Sequence, residues 1–171
     1  WYIQFFRNTP PLVQLYFFFF HGGHWITGAD GVPFVTNIQW AVFALSLYAG
    51  AFNVEIFRSG IEAVPTATIE AAESLGFSRL RAYVLIVLPL AFRISLPALN
   101  NNLVNLVKTT SISFAIAVPE MLYVSAQIWS DSTNVKEMMN VLLVCYVGLV
   151  GSFVYAMHRW ERAMRVPGYG G

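Results

Sequence analysis

The chain has 171 residues, of which 57% are hydrophobic and only 11% are charged, and its formal net charge is +1. So few charged side chains cannot cover a soluble protein of this size, which indicates a membrane protein. The near-neutral charge gives no global attraction to nucleic acid, so no nucleic-acid partner is expected. The single cysteine, Cys145, lies in an apolar run and has no second cysteine with which to form a disulfide.

Four apolar segments are long enough to cross the ~30 Å core of a bilayer, which needs roughly 20 helical residues. They occupy approximately positions 2–20, 35–57, 83–118 and 138–157. The third segment contains Pro89, Pro97 and several asparagines, so we expect it to be kinked or shielded by protein. The sequence therefore predicts an all-α, polytopic transmembrane helix bundle.

Positively charged residues are distributed unevenly around these segments. No Lys or Arg lies between Arg7 and Arg58, a stretch that includes the loop at positions 21–33 between the first two segments. Because cytoplasmic loops are enriched in Lys and Arg, this loop is predicted to lie outside. Arginines cluster before the third segment and after the fourth, so both of those regions are predicted to be cytoplasmic. They are Arg58, Arg79, Arg81, Arg93, Arg159, Arg162 and Arg165.

The predicted cytoplasmic loop at positions 59–82 has the pattern of two short helices joined by a tight turn. Pro65 suits the first turn of a helix, because proline has no amide proton to donate. Gly76 suits the position after that helix, because glycine tolerates a positive φ, and Ser78 is expected to cap the second helix. The small residues of the first helix would let a partner protein approach closely, and they are Ala67, Ala71, Ala72 and Ser74.

This loop resembles the EAA signature of ABC importer permeases. The residues that match the signature, at the family's spacing, are Glu70, Ala71, Ala72, Gly76, Ile86, Leu88 and Pro89. The resemblance implies that positions 65–76 form the coupling helix, which lies in a groove of the ATP-binding subunit. It also implies the MetI-like fold of type I ABC importers, with a permease domain at positions 1–165 and about four of an expected five transmembrane helices present.

Three further blocks are similar to the polar amino-acid branch of this family. They lie at positions 6–15, 45–58 and 93–111. They imply a substrate such as histidine, arginine, lysine, glutamine or glutamate. The sequence departs from the family pattern at Ala67, Thr68, Leu90, Ala98 and Thr109, so the individual amino acid is not predicted.

The two ends of the chain give separate expectations. The chain begins at Trp1 without an initiating methionine or a signal peptide, so we expect it to lack its natural N-terminal region. Positions 166–171 contain Pro167 and three glycines, and we expect them to form a flexible tail.

The family resemblance also implies the partners and the location. A second identical or different permease subunit, two copies of an ATP-binding subunit, and a periplasmic or lipid-anchored amino-acid-binding protein are expected, in the bacterial cytoplasmic membrane. The sequence contains no Walker motif, Gly-rich phosphate loop or nucleophile–base pair, so the chain is not expected to be an enzyme or to bind a cofactor. ATP and Mg²⁺ would be bound by the partner. His21 and His24 lack further metal ligands at a suitable spacing, so no metal site is predicted.

Five polar residues of the membrane segments are candidates for the substrate path: Gln14, Glu55, Asn101, Asn105 and Lys108. Each has a structural alternative. Glu55 lies three residues before Arg58, and an ion pair along the helix is favoured over a role in the path. Lys108 could extend to the membrane interface or bind a substrate carboxylate, and the amides could form hydrogen bonds between helices.

Three alternative functions predict different features in the sequence. A permease for another small solute would share the EAA loop, because only the flanking blocks select amino acids. A membrane-embedded enzyme should have clustered ionisable residues near the bilayer midplane, and the sequence shows no such cluster. A channel-like subunit that works without ATP would have no need of the complete EAA loop.

Overall fold

The computed structural model describes residues 1–23, 26 and 34–164, and the regular elements within these ranges are all helical. The α-helices are α1 (Tyr2–Asn8), α2 (Pro11–Tyr16), α3 (Asn37–Glu62), α4 (Thr66–Ser74), α5 (Arg79–Ala82), α6 (Leu88–Thr109), α7 (Met121–Ser132) and α8 (Val135–Met164). A π-helical turn, Phe17–Gly22, extends α2, and another, Tyr83–Val87, joins α5 to α6. A 3₁₀ helix, Thr110–Ile116, follows α6. The predicted tail lies outside the described residues.

Three helical units of the described chain are long and apolar enough to cross a membrane. They are Asn37–Glu62, Arg79–Ile116 and Val135–Met164, of 26, 38 and 30 residues. They correspond to the second, third and fourth predicted segments. The third unit includes Pro89 in the first turn of α6 and Pro97 in its interior. The π-helical turn ends at Val87, two residues before Pro89, whose missing amide proton removes an ordinary helical hydrogen bond.

The first predicted segment, at positions 2–20, is not one continuous helix. Thr9 and Pro10 have extended backbone angles, with ψ of 143° and 135°, and they separate α1 from α2. Pro10 explains this break, because a proline disfavours the helical conformation of the residue before it. The expectation of a single helix was therefore wrong here.

The chain reverses its direction at Thr9–Pro10, and the contacts with α3 show this. The Tyr2 hydroxyl donates to the carbonyl oxygen of Leu47 over 2.7 Å, whereas the Arg7 guanidinium lies 5.5 Å from the centre of the Phe52 ring. Helix α1 therefore runs in the same direction as α3. Beyond the break, the Phe18 ring lies 5.2 Å from the Phe43 ring, and Gly22 packs against Trp40. Residues 11–22 thus run antiparallel to α3.

Two apolar clusters hold the bundle together at opposite ends of α3. One contains Leu15, Trp40, Ala41, Ala44 and Ile116, and it joins α2, the start of α3 and the 3₁₀ helix. The other contains Val64, Val87 and Ala91, and it joins the end of α3 to the start of α6. Helices α3 and α6 pack along each other between the two clusters.

Helix α8 packs against α6 and α7, but its most hydrophobic stretch is exposed. None of that stretch is buried by the described chain. Val144, for example, is 71% exposed, and so is much of the apolar surface around it. So large an apolar surface is consistent with a helix that contacts lipid or another membrane helix.

Candidate functional site

The candidate site begins at α4, whose two ends differ slightly from the prediction. Pro65 lies one position earlier than expected, at the N-cap, with an extended backbone (φ −60°, ψ 136°). Gly76 has φ +84°. Its amide donates to the Glu73 carbonyl over 2.9 Å, and the Phe77 amide donates to the Ala72 carbonyl over 3.1 Å. These two hydrogen bonds form a Schellman motif, which confirms the predicted role of Gly76 as the residue that ends the helix.

The second short helix, α5, follows this turn. Ser78 is its N-cap residue and has an extended backbone, but its side chain makes no capping hydrogen bond, so this part of the prediction was wrong. An ion pair between Arg79 and Glu73, with 3.2 Å between Nε and Oε1, joins α5 to α4 instead. The loop is therefore stabilised by its backbone turn and by a surface ion pair.

One side of α4 faces the bundle and the other is open. Ala72 is 2% exposed, and Ile69 packs against the apolar cluster of Val64, Val87 and Ala91. Outside this contact, Leu75 and Leu80 are 78% and 74% exposed. Large apolar side chains at such exposure, next to a helix of small residues, form a surface suited to a protein partner.

The residues of the EAA signature do not all lie on this open surface. Pro65, Glu70, Ala71 and Gly76 are exposed there, whereas Ala72 faces the bundle. Ile86, Leu88 and Pro89 lie farther along the chain, in the π-helical turn and the start of α6. Ile86 is half-buried and the other two are exposed.

Gln14 is buried in the hairpin between α1 and α2. Its Nε2 atom donates to the carbonyl oxygens of Phe6, at 2.9 Å, and Thr9, at 3.0 Å, and it lies 2.6 Å from Oγ1 of Thr9. The end of α1 leaves carbonyl oxygens without helical donors, and Gln14 supplies the missing donor. Gln14 therefore has a structural role in the hairpin.

Glu55 forms the ion pair along α3 that its spacing suggests. Its carboxylate accepts from Nε of Arg58 over 3.2 Å and from the other end of the same guanidinium. Arg58 also pairs with Glu62. The structure adds Arg7 of α1, whose Nη1 lies 3.7 Å from Oε1 of Glu55. This contact joins residues 48 positions apart, so local spacing could not have predicted it.

Asn101, Asn105 and Lys108 lie together on one exposed face of α6. Their spacing of four and then three residues puts them on the same side of a helix. Within the described part of the chain, these three side chains make no hydrogen bond or ion pair with other residues. The structure thus brings together three of the five candidates for the substrate path and separates Gln14 and Glu55 from them. We name the surface formed by Asn101, Asn105 and Lys108 the polar face.

The asparagines on either side of Asn101 face other helices. Asn100 is 5% exposed and donates to Oε2 of Glu161 in α8 over 3.3 Å. Asn102 donates to Oδ1 of Asn53 in α3 over 2.8 Å. Successive side chains of a helix point about 100° apart, so the three consecutive asparagines face three different directions. The sequence alone does not show which of the three asparagines faces outward.

A further polar contact fixes α7 to α8. The Glu120 carboxylate accepts the amides of Leu122, at 2.9 Å, and Tyr123, at 2.8 Å, and so caps the start of α7. It also accepts the Tyr146 hydroxyl of α8 over 3.2 Å. As for metals, no group of three His, Cys, Asp or Glu side chains within the described ranges could hold an ion. His21 stacks on Phe17, and His24 lies outside those ranges.

Comparisons with known proteins identify the family. Residues 1–166 match the family described as the binding-protein-dependent transport system inner membrane component. The chain is 33% identical to the probable amino-acid permease protein YxeN of Bacillus subtilis, over 97% of this chain and 73% of that protein. It is 34% identical to the histidine/lysine/arginine/ornithine transport system permease protein HisM of Salmonella typhimurium, over 91% and 69% of the two chains.

A solved structure has the same fold. It is described as an amino acid ABC transporter with histidines, and it aligns with a TM-score of 0.80 and 28% identity, over 95% of this chain and 73% of that one. The predicted all-α permease fold is therefore confirmed. The chain belongs to the family of inner membrane components of binding-protein-dependent transport systems.

Proposed function

We propose that the chain is the membrane permease subunit of an ATP-driven importer that carries polar amino acids across the bacterial cytoplasmic membrane. The main support is the loop at positions 65–76, where a short helix with an open outer side ends in a glycine-dependent turn within a chain of this family. The chain itself would hydrolyse no ATP, and two copies of an ATP-binding subunit would supply the energy.

In this proposal α4 is the coupling helix, and its open side lies in a groove of the ATP-binding subunit. Leu75 and Leu80 would be the apolar contacts of that interface, because the described part of the chain leaves both of them exposed. Ala71, at the open side of α4, would allow close approach. The Schellman turn at Gly76 would fix the angle at which the chain leaves the interface.

The proposed orientation follows from charge. Arg58, Arg79 and Arg81 lie near the end of α3 and in α5, and Arg159 and Arg162 lie near the end of α8. The positive-inside bias assigns these ends to the cytoplasm and the start of α3 to the outside. The coupling helix and the C-terminus would then be on the side where ATP is available.

The polar face of α6 is proposed to line the substrate path, opposite a second permease subunit of the same or a different kind. Polar side chains that meet no partner in the described part of the chain would be costly in lipid, so they suit a water-filled path between subunits. Lys108 could bind a substrate carboxylate, and Asn101 and Asn105 could form hydrogen bonds with polar groups of the substrate. A periplasmic or lipid-anchored binding protein would deliver the amino acid at the outer end.

Transport would proceed by alternating access. ATP binding would draw the two ATP-binding subunits together, and their motion would pass through α4 to the membrane helices, so that the path opens to the other side. The relatives' names favour amino acids as substrates. A permease for another small solute is the alternative, because the coupling loop by itself does not select the substrate.

The proposed function can be tested in proteoliposomes. The permease, its ATP-binding subunit and the binding protein would be reconstituted, and uptake of labelled basic, acidic and amide amino acids and of a neutral sugar would be measured with and without ATP. ATP-dependent uptake of one amino-acid class supports the proposal. Uptake of the sugar alone would favour the alternative solute, and uptake independent of ATP would contradict an ABC importer.

A further inference from the structure

Helices α3 and α6 approach each other closely at Gly60 and Ser95. A Cβ atom on Gly60 would lie only 1.9 Å from Oγ of Ser95 and 2.9 Å from the carbonyl oxygen of Ala91. No side chain other than hydrogen fits there without moving one helix, because the second of these atoms belongs to the backbone. Gly60 therefore sets the distance between the two helices at this point.

The Ser95 hydroxyl bonds both helices at the same place. Ser95 is 3% exposed. Its Oγ lies 2.8 Å from the Ala91 carbonyl oxygen of its own helix and 3.3 Å from the Ile56 carbonyl oxygen of α3. Ile56 lies one turn before Gly60 in α3. Because Gly60 has no side chain, the Ser95 hydroxyl can reach the α3 backbone at the Ile56 carbonyl oxygen.

A second polar contact joins the same two helices farther from α4. Asn102 donates to Oδ1 of Asn53 over 2.8 Å and approaches the Ala49 carbonyl oxygen at 3.4 Å. Asn53 and Gly60 are seven residues apart, and so are Ser95 and Asn102. Seven residues are about two helical turns, so both contacts lie on the same facing sides of the antiparallel pair.

The Gly60–Ser95 contact lies directly beside the apolar cluster that supports the coupling loop. Val64, Val87 and Ala91 form this cluster, and Ile69 of α4 packs against it. The other polar contact is next to the polar face, because Asn102 follows Asn101 in α6. The two contacts thus lie between α4 at one end and Asn101 at the other, along the length over which α3 and α6 pack together.

We propose that Gly60, Ser95, Asn53 and Asn102 are positioning residues that make α3, α4 and α6 move as one rigid unit. A displacement of α4 is then passed to the polar face of α6 instead of being absorbed by sliding of α6 along α3. This inference rests on the proposed function, and it adds which residues transmit the motion. Loss of the rigid contact uncouples ATP hydrolysis from transport without abolishing hydrolysis.

The test compares Gly60→Ala and Ser95→Ala with Gly148→Ala in the reconstituted complex. The added methyl group of Gly60→Ala forces α3 and α6 apart, and Ser95→Ala removes the hydroxyl while keeping the close packing. Gly148 of α8 is the matched control, because a Cβ there meets no atom of the described chain within 4 Å. The readouts are insertion, assembly with the ATP-binding subunit, substrate-stimulated ATP hydrolysis, and the number of ATP molecules hydrolysed per solute imported.

Gly60→Ala is expected to raise the ATP consumed per solute by about tenfold, which is within the roughly 5- to 150-fold range typical of coupling between two sites. Stimulated hydrolysis should stay close to wild type. Ser95→Ala should raise the ratio less, and it gives the decisive measurement if Gly60→Ala does not assemble. An unchanged ratio in assembled variants overturns the inference, as does a parallel loss of uptake and hydrolysis. Wild-type uptake in the same assay tests the proposed function separately.

Discussion

The Gln14 side chain packs directly against Thr9. Its Nε2 atom lies 2.6 Å from the Thr9 hydroxyl oxygen and 3.0 Å from the Thr9 carbonyl oxygen. These contacts close the hairpin in which the chain reverses between α1 and α2. The amide also binds the Phe6 carbonyl oxygen at 2.9 Å, and Gln14 is 3% exposed. Gln14 therefore replaces helical donors that the Thr9–Pro10 break removes.

Replacing Gln14 by leucine should destabilise the permease. The variant keeps a similar side-chain volume but leaves buried carbonyl oxygens without donors, at a cost of about 1–3 kcal/mol. The melting temperature of the purified protein should fall accordingly. Gln4→Leu is the matched control, because the Gln4 side chain is exposed and, among the described residues, forms a side-chain hydrogen bond only with Asn8. An equal melting temperature for Gln14→Leu and wild type would contradict the structural role.

Glu55→Gln should weaken the contacts with Arg7 and Arg58 but leave substrate affinity unchanged. Both arginines pair with the Glu55 carboxylate, and partly exposed ion pairs contribute little to stability. Uptake kinetics of Glu55→Gln should therefore give a wild-type KM, with only a small fall in melting temperature that shrinks at high salt. An altered substrate preference would instead show that Glu55 belongs to the substrate path.

Lys108→Met should raise the KM for uptake if Lys108 binds a substrate carboxylate on the polar face. We expect an increase of about tenfold, the change that a loss of roughly 1.4 kcal/mol in binding produces. Lys108→Arg should retain part of the affinity because it keeps the charge. The control is Lys136→Met, since Lys136 is an exposed lysine near the start of α8 and so belongs to another helix. A wild-type KM for Lys108→Met would mean that the lysine only extends to the membrane interface.

The proposed orientation can be measured with single cysteines. Cys145→Ser removes the one native cysteine, and Leu75→Cys and Lys136→Cys then introduce one reporter each. Without the ATP-binding subunit, an impermeant maleimide should label position 75 only in inside-out vesicles and position 136 only in right-side-out vesicles. The reverse pattern would contradict the assignment from the positive-inside bias.

The features that could be predicted are those that depend on neighbouring residues. Gly76 ends α4 with a positive φ as expected, because few other residues tolerate that conformation. The ion pair of Glu55 with Arg58 also follows from spacing along one helix. The three long apolar helices could also be predicted, because the length of an apolar segment is enough to identify them.

The features that could not be predicted depend on packing between distant residues. The hairpin of α1 and α2 could not be recognised in the sequence, because positions 2–20 have the length and composition of one apolar segment. Pro10 was a local indication that the helix would break there. Gln14 was a candidate for the substrate path until the fold put the Phe6 and Thr9 carbonyl oxygens beside it. The contact of Gly60 with Ser95 joins residues 35 positions apart, and only the crossing of two helices shows why Gly60 must be glycine.

The most direct test of the coupling role of α4 compares Gly76→Val with Gly76→Asn in ATP-driven amino-acid uptake. At φ +84° a β-branched side chain is strained, whereas asparagine adopts positive φ more readily. With both variants inserted in the membrane, uptake should collapse in Gly76→Val and remain substantial in Gly76→Asn. Wild-type ATP-driven uptake in Gly76→Val would contradict the account, because the turn that ends α4 would then play no part in coupling.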